Sequence, residues 1–247
     1  MESLLEINNL VGGYSNKNVL HGISFEMKPK EIVGLIGLNG AGKSTTIKHI
    51  IGLMQAKNGK VAIQGKTSQE DITGYRKQIG YIPEQPILYD ELTLYEHLRL
   101  TMMAYDLDEK DFEERLPRLL KAFRMEKQLH WFPVHFSKGM RQKVMIMCAF
   151  LIEPSLYIVD EPFVGLDPLA IQSFIDWMEQ MKEDGAGVLM STHILATAEK
   201  YCDRFVILHD GFIRAQGTVE ELQEEFGMKG ATLDDLYIQL TREEDHV

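Results

Sequence analysis

The chain has 247 residues, 45% of them apolar, which is enough to bury a sizeable core in one large domain or in one domain with an inserted lobe. Its formal net charge of -11 disfavours a nucleic-acid groove, because such grooves carry clustered Lys and Arg. We therefore expect no nucleic-acid partner. Cys148 and Cys202 have neither metal-ligand spacing nor the pattern of a disulfide framework, so we expect two buried or partly buried thiols.

The N-terminus and the apolar runs predict that the chain does not enter a membrane by itself. Residues 1–10 contain Glu2 and Glu6 and have no cationic start, so we expect no signal peptide and a mature chain that begins at Met1. The longest uninterrupted apolar run, at residues 144–152, is about half of the ~20 residues that span a bilayer. A link to a membrane would therefore require a partner.

The first predicted elements are short strands. Residues 4–10, 19–25 and 61–64 have strand patterns with turn residues between them. Residues 32–36 form a fully apolar, β-branched run, which is typical of a buried strand in a parallel sheet. We therefore predict an α/β core with a smaller β lobe near the N-terminal half.

The segment after residues 32–36 has the pattern of a phosphate-binding loop. The predicted nucleotide-binding residues are Gly37, Leu38, Asn39, Gly40, Ala41, Gly42, Lys43, Ser44 and Thr45. A strand precedes them and a predicted helix over residues 44–53 follows, which is the context that such a loop requires. Backbone N–H groups and the helix N-terminus would cradle phosphates, Lys43 would reach the outer phosphates, and Ser44 would ligate Mg²⁺. This agreement favours a phosphate site over an ordinary glycine-rich turn.

Residues from about 91 to 153 differ in character from what precedes them. They show capping signals and helical periodicity but little strand character. Thr93 and Glu96 match a capping box, and Ser137 is a predicted helix start in a helix that ends before Pro154. We therefore predict a helical lobe inserted into the core.

Residues 156–159 predict another buried strand, which ends in the adjacent carboxylates Asp160 and Glu161. Carboxylates at the C-terminal end of a central strand face the ligand crevice of a doubly wound sheet. We expect Asp160 to hold the Mg²⁺ shell and Glu161 to polarise the attacking water. Such a pair alone is more often a solvated turn, but after a phosphate loop it indicates the second half of a nucleotide site. Two further strands are predicted at residues 188–190 and 205–208.

The chain closes with a predicted helical segment at about residues 218–241. Thr218 and Glu221 match a second capping box. One apolar stripe is formed by Leu233, Leu236, Tyr237 and Leu240. We expect this segment to dock on the core as a helix pair, and residues 242–247 to fray.

Together these residues resemble the ATP-binding subunits of ABC transporters, from Leu4 to about Glu221. Besides the phosphate loop and the two carboxylates, three family motifs occur in order. They are the signature loop at residues 136–140, the D-loop at 165–167 and the switch-histidine motif at 191–193. Within the family, residues 34–49, 138–143 and 226–240 resemble the ATP-binding subunit of the Ecs-type transporters of Gram-positive bacteria.

The resemblance implies a P-loop NTPase core of the ABC type, an α/β fold with an N-terminal antiparallel β lobe and an inserted helical lobe, in a single domain over residues 1–247. It implies an ATPase that uses ATP and Mg²⁺. It also implies a head-to-tail dimer with a second copy or another ATPase subunit. In this dimer two ATP molecules are each held by the phosphate loop of one subunit and by Ser137 and Gly139 of the other.

Other site residues rest on the resemblance. It implies that Tyr14 stacks on the adenine, that Asp167 belongs to the nucleotide site, and that His193 acts in catalysis with Glu161. Judged without the family, Tyr14 fits a partly buried strand tyrosine, Ser137 an ordinary helix cap and His193 a structural histidine.

Two places depart from the family pattern. In the signature loop, Lys138 stands where glycine is most frequent and Met140 where glutamine is common, so an extra cation lies near the partner-bound phosphate. In the Q-loop, the family's glutamine aligns with Glu84, and Gln85 follows it. We expect Glu84 to meet the metal, and Gln85 is the alternative.

The resemblance implies the energising subunit of an ABC transporter, whose partner is a polytopic membrane permease. We expect the chain to lie at the cytoplasmic face of the cell membrane, held there through that partner, which would dock near residues 84–105. A soluble ABC ATPase of an assembly machine, as in iron–sulfur cluster biogenesis, is the alternative. A protein that binds ATP without hydrolysing it is disfavoured by the intact Glu161 and His193.

Overall fold

The structure is a computed structural model that describes residues 3–242, so the predicted start at Met1 lies outside the described residues. Of residues 242–247, which were predicted to fray, Arg242 is the last residue of a helix and the others lie outside the described residues. The strands are β1 (Leu5–Gly12), β2 (Leu20–Met27), β3 (Ile32–Ile36), β4 (Asn58–Ile63), β5 (Lys66–Thr67), β6 (Ile79–Ile82), β7 (Leu156–Asp160), β8 (Gly187–Thr192), β9 (Arg204–His209) and β10 (Phe212–Gly217). The helices are α1 (Lys43–Ile50), α2 (Ile72–Lys77), α3 (Leu94–Ala104), α4 (Glu109–Phe123), α5 (Lys138–Leu151), α6 (Pro168–Glu183), α7 (Leu195–Tyr201), α8 (Val219–Glu225) and α9 (Leu233–Arg242).

The larger sheet has the order β10-β9-β3-β8-β7-β6, in which β9 to β6 are parallel and β10 is antiparallel to β9. Every residue of β3, β7 and β8 is buried, which explains their unbroken apolar runs. The register pairs Ile36 with Thr192 and Asp160 with Ser191. The carboxyl ends of β3, β8 and β7 therefore meet at one edge of the sheet.

The smaller sheet is antiparallel, with the order β2-β1-β4-β5. In β2 buried residues alternate with exposed ones, so one face of the strand packs inward and the other faces solvent. The inward face, including Leu5 and Phe25, shares one apolar cluster with Val33 and Leu35 of β3. The predicted antiparallel β lobe is confirmed, and it packs on the phosphate-loop side of the core.

A helical region connects β6 to β7. It contains α3, α4 and α5, with 3-10 turns at Glu126–Gln128 and Pro133–His135. The Thr93–Glu96 capping box is present at α3, and the Ser137 hydroxyl caps α5 by accepting a hydrogen bond from the Met140 N–H at 3.2 Å. The inserted helical lobe is thus confirmed. Within the described range no helix combines the length and the apolar character needed to cross a bilayer.

The C-terminal helices α8 and α9 pack against the sheet beside α7. The Thr218–Glu221 capping box begins α8. The predicted apolar stripe of α9 is confirmed, because Leu233, Leu236 and Tyr237 are buried and Leu240 packs against them. The same cluster contains the last residue of β3, so α9 lies close to the start of the phosphate loop. Cys148 and Cys202 are half-buried free thiols, as expected.

Candidate active site

Three loops that carry predicted site residues leave the same edge of the larger sheet. The phosphate loop follows β3, Glu161 follows β7, and His193 follows β8. Next to β7, strand β6 ends at Ile82, which pairs with Val159, and leads into Glu84. Parallel strands with this order therefore bring together residues that are far apart in the sequence.

The phosphate loop forms the wall of a cavity of about 300 Å³. Gly40 and Gly42 have φ angles of +88° and +113°, a backbone conformation that residues with a side chain rarely adopt, so the turn requires glycine. The cavity is lined by Tyr14, Val19, Leu38, Asn39, Gly40, Gly42, Lys43, Ser44 and Thr45. Of the predicted loop residues, Gly37 and Ala41 do not line the cavity and are buried beneath it.

Lys43 is the first residue of α1 and is 7% exposed. Its ammonium donates a hydrogen bond to the carbonyl of Gly37 at 2.6 Å and approaches the carbonyl of Leu38 at 3.4 Å. These backbone contacts hold the cation against the loop, at the base of the cavity.

Tyr14 stands at the mouth of the cavity, half exposed. Its hydroxyl accepts a hydrogen bond from the ammonium of Lys48 at 2.9 Å, and the same ammonium lies 5.2 Å from the ring centroid. The hydrogen bond from Lys48 lowers the pKa of the Tyr14 hydroxyl. The ring is therefore oriented by α1, the helix that begins at the phosphate loop.

Asp160 and Glu161 are both more than nine-tenths buried. The Ser191 hydroxyl donates a hydrogen bond to Asp160. The Glu161 carboxylate contacts Thr192 Oγ1 at 3.2 Å and His193 Nδ1 at 2.7 Å. Because a carboxylate accepts hydrogen bonds, His193 carries the proton on Nδ1 in its hydrogen bond with Glu161. Neighbouring strands thus fix both acidic side chains.

Glu161 has a backbone φ of +49°. For a residue with a side chain this left-handed conformation costs about 1–2 kcal/mol. It persists here because the Glu161 N–H donates to the Ser191 carbonyl at 3.1 Å and the carboxylate is held by two side chains of the β8 end. Such strain is found at functional sites more often than elsewhere.

The buried charges of this edge act on one another. Burial lowers the pKa of Lys43, whereas the negative charges of Glu161, Asp160 and Glu84 raise it. Burial raises the pKa of Asp160, the Ser191 hydroxyl lowers it, and the charges of Glu84 and Glu161 raise it again. The phosphate-loop lysine and the three carboxylates therefore form one electrostatic unit.

The signature loop lies away from this cavity. Gly139 faces the D-loop, since a side-chain carbon at Gly139 would lie 2.5 Å from the carbonyl oxygen of Gly165. The aliphatic part of Lys138 lies beside the same Gly165, within ordinary contact of a side-chain carbon placed there. Neither Ser137 nor Gly139 lines the cavity of the phosphate loop. Within one chain the signature loop is therefore not part of the phosphate-loop cavity.

Asp167 of the D-loop is engaged within its own chain. Its carboxylate accepts a hydrogen bond from the Ala170 N–H at 2.9 Å, which caps α6, and pairs with the Lys143 ammonium at 3.0 Å. The hydrogen bond from Lys143 holds the pKa of Asp167 below its ordinary value. The D-loop is thereby tied to α5, the helix that begins at the signature loop.

Known proteins resemble this chain in both sequence and fold. A family model described as ABC transporter matches residues 20–164. EcsA, an ABC-type transporter ATP-binding protein of Bacillus subtilis, is 64% identical over 242 residues, which cover 98% of each chain. This chain belongs to the ABC transporter family. It is an ATP-binding subunit of that family and an ATPase that hydrolyses ATP.

Solved structures support the same assignment for this ABC ATPase. A structure described as the ATP binding subunit of an ABC transporter is 58% identical and superimposes with a TM-score of 0.95, covering 97% of this chain and 100% of that one. CbiO1 of Clostridium perfringens, part of the transporter complex CbiONQ, has a TM-score of 0.77 at 25% identity. The predicted fold class and the Ecs-type resemblance are confirmed. The iron–sulfur alternative receives no support.

The structure also shows supporting residues of this ABC ATPase that sequence reasoning did not single out. Gln142 of α5 is buried and donates a hydrogen bond to the carbonyl of Pro83 at 3.2 Å, which joins the signature helix to the residue before Glu84. Ser191, which belongs to the switch-histidine motif at residues 191–193, holds Asp160 from the neighbouring strand. This contact of Ser191 was not predicted, and no sequence signal marked Gln142.

Proposed function

We propose that the chain is the energising subunit of a membrane transporter that binds ATP at its phosphate loop and closes head to tail with a second ATPase subunit, either another copy or a different chain. The observation that carries the proposal is the convergence of Lys43, Asp160, Glu161 and His193 at the edge of one parallel sheet. The chain would act as a single ABC domain over residues 1–247, with its helical lobe at about 91–153 and its C-terminal segment at about 218–241.

ATP binding follows from the shape and charge of the cavity. The backbone N–H groups of residues 37–45 and the start of α1 would hold the phosphates, together with Ser44 and Thr45. Lys43 would turn part of its hydrogen bonding from the Gly37 carbonyl to the outer phosphates. Tyr14, at the mouth, would stack on the adenine.

Hydrolysis would use the carboxylate of Glu161. A water positioned by Glu161 would attack the γ-phosphorus and give up its proton to the carboxylate, while the bond to the oxygen of ADP breaks. His193 donates from Nδ1 to Glu161, which would orient the acid beside the attacking water.

The residues fit Mg²⁺, which would be held by Asp160 and Ser44 with Glu84 nearby. Carboxylate and hydroxyl oxygens suit this hard cation, and burial raises the pKa of Asp160, so a bound cation would stabilise its ionised form. Among the described residues no group of three acidic, His or Cys side chains is placed to hold a metal alone, which suits a cation that takes most ligands from phosphates and water. When bound, the cation supplies charge neutralisation for the phosphates.

The second subunit would complete the site. Ser137 and Gly139 do not line the phosphate-loop cavity of their own chain, which supports the proposal that they contact an ATP held by the partner. Asp167 would link the D-loop to the signature loop at this site, because its carboxylate pairs with Lys143 of α5, the helix that begins at the signature loop. Closure of the dimer would thus depend on ATP, and hydrolysis would release it.

The permease would dock on the segment that follows β6. Ile87, Tyr89 and Met103 are strongly exposed there, although Glu96 is committed to its capping box. This docking would place the chain at the cytoplasmic face of the membrane. The relatives that are described as subunits of transporters support this location.

Purification from membranes tests this proposal. Tagged protein should recover one polytopic membrane protein in mild detergent, and the Lys43→Ala variant should recover the same protein but lose ATP hydrolysis. Recovery of only soluble partners with or without detergent would contradict the transporter assignment. Unchanged turnover of Lys43→Ala would contradict the phosphate-loop assignment.

A further inference from the structure

The C-terminal helix α9 reaches the phosphate loop through the side chain of Tyr237. Tyr237 is 5% exposed, and its hydroxyl oxygen accepts a hydrogen bond from the Leu38 N–H at 3.1 Å. The two residues are 199 positions apart in the chain. A helix at the far end of the sequence is therefore bonded to the backbone of the loop that would hold ATP.

This hydrogen bond acts on the peptide unit that also holds Lys43. The Leu38 N–H and the Gly37 carbonyl belong to one planar peptide group, and in a trans peptide they point in opposite directions. The Gly37 carbonyl accepts the hydrogen bond from the Lys43 ammonium at 2.6 Å. Tyr237 and Lys43 therefore hold the same peptide plane from its two sides, and a rotation that breaks one contact weakens the other.

Helix α9 is itself fixed, so the Tyr237 hydroxyl occupies a defined place. At the start of α9 the Leu233 N–H donates to the carboxylate of Glu199 at 2.9 Å, and Leu233 lies one helical turn before Tyr237. Leu236 packs in the same buried cluster as Ile36, the residue that precedes the loop. Glu199 belongs to α7, the helix that follows His193, so α9 contacts both the phosphate loop and the helix after the switch histidine.

We propose that Tyr237 is a positioning residue of the ATP site, whose hydroxyl fixes the Gly37–Leu38 peptide plane and thereby the place of the Lys43 ammonium before ATP binds. The inference rests on the proposed role of the phosphate loop. Without the hydroxyl only the Lys43 contact holds the plane, so more of the ordering of the loop must occur at the expense of ATP binding. The effect should therefore appear in the affinity for ATP and much less in the turnover of bound ATP.

Tyr237→Phe tests the inference, because it removes the hydroxyl and keeps the ring in its apolar cluster. Tyr75→Phe is the matched control, since the buried Tyr75 hydroxyl donates to the Ile50 carbonyl at 2.7 Å, at the opposite end of α1. In Tyr237→Phe, hydrogen exchange of the peptide that contains Leu38 should quicken about 5-fold or more. The KM for ATP should rise about 5–10-fold with kcat within about twofold. Tyr75→Phe should leave both quantities at the parent's values.

Three results would overturn the inference. They are unchanged exchange and KM in Tyr237→Phe, an equal rise of KM in both variants, and faster exchange spread over all of α9 instead of the loop. A direct measurement of ATP binding to Lys43→Ala distinguishes a failure of the Tyr237 inference from a failure of the proposed function. If Lys43→Ala binds ATP as the parent does, the phosphate-loop assignment is wrong. If it loses binding while Tyr237→Phe matches the parent, only the role of Tyr237 is wrong.

Discussion

Gly139→Ala should separate ATP binding from hydrolysis, because Gly139 supports the contact between the signature loop and the D-loop. The new methyl group would lie 2.5 Å from the Gly165 carbonyl oxygen, whereas carbon and oxygen atoms approach to about 3.4 Å. One of the two loops must therefore move by roughly 0.9 Å. Gly139 lies in the first turn of α5 at a helical position, where alanine is otherwise favoured by about 1 kcal/mol, so the fold should persist.

A displacement of this size matters only where the two subunits must fit together. Misplacement of a catalytic group by about 1 Å can lower a rate ~100-fold, and we expect a fall of that order in kcat for Gly139→Ala. ATP affinity of the isolated chain should stay within about twofold of the parent, because Gly139 does not line the phosphate-loop cavity.

The assay compares a fluorescent ATP analogue at low protein concentration with ATP turnover at saturating ATP. Gly227→Ala is the control for a destabilising glycine-to-alanine change away from the nucleotide loops, since a side-chain carbon there meets nothing within 4 Å while the φ of +63° strains alanine by about 1 kcal/mol. It should hydrolyse ATP at the parent's rate. The reasoning is refuted if Gly139→Ala keeps kcat within twofold, or if it weakens ATP binding as much as it slows turnover.

Two further predictions concern the acidic edge. Glu84→Gln should keep most of the ATPase activity but raise the Mg²⁺ concentration required, because it removes a negative charge near the metal. Gln85→Ala should behave as the parent. A Mg²⁺ titration with the opposite result would shift the Q-loop assignment by one residue. Asp160→Asn should abolish hydrolysis and raise the Tm of the nucleotide-free protein. Burial raises the pKa of Asp160, so its ionised form destabilises the fold at neutral pH; a lower Tm by calorimetry would contradict this sign.

Local patterns were enough to predict several features of the fold and site. The strand Ile32–Ile36 was predicted with its observed bounds, and the following helix was predicted one residue late, at Ser44 instead of Lys43. The caps at Thr93 and Ser137 were also predicted, because a cap is decided by residues within one turn of each other. The roles assigned to these site residues stay predictions.

Features set by long-range contacts could not be predicted in this way. Strand β6 has four residues, too few for a periodic pattern, and it was missed although it leads into Glu84. The bond from Gln142 to Pro83 spans 59 positions and has no local signal. The contact of Gly139 with Gly165 likewise depends on how α5 packs beside the D-loop. The glycine of a signature motif thus carries a packing constraint that only the folded structure reveals.

The central claim is that ATP closes two chains into a dimer that hydrolysis reopens, and Glu161→Gln tests it most directly. Light scattering after gel filtration, with Mg²⁺ and saturating ATP over a range of protein concentrations, should show the mass of Glu161→Gln rising from the 28.3 kDa of one chain to twice that value. The combined Lys43→Ala and Glu161→Gln variant should stay monomeric. A Glu161→Gln protein that stays monomeric at every concentration, or hydrolyses ATP like the parent, would contradict the account.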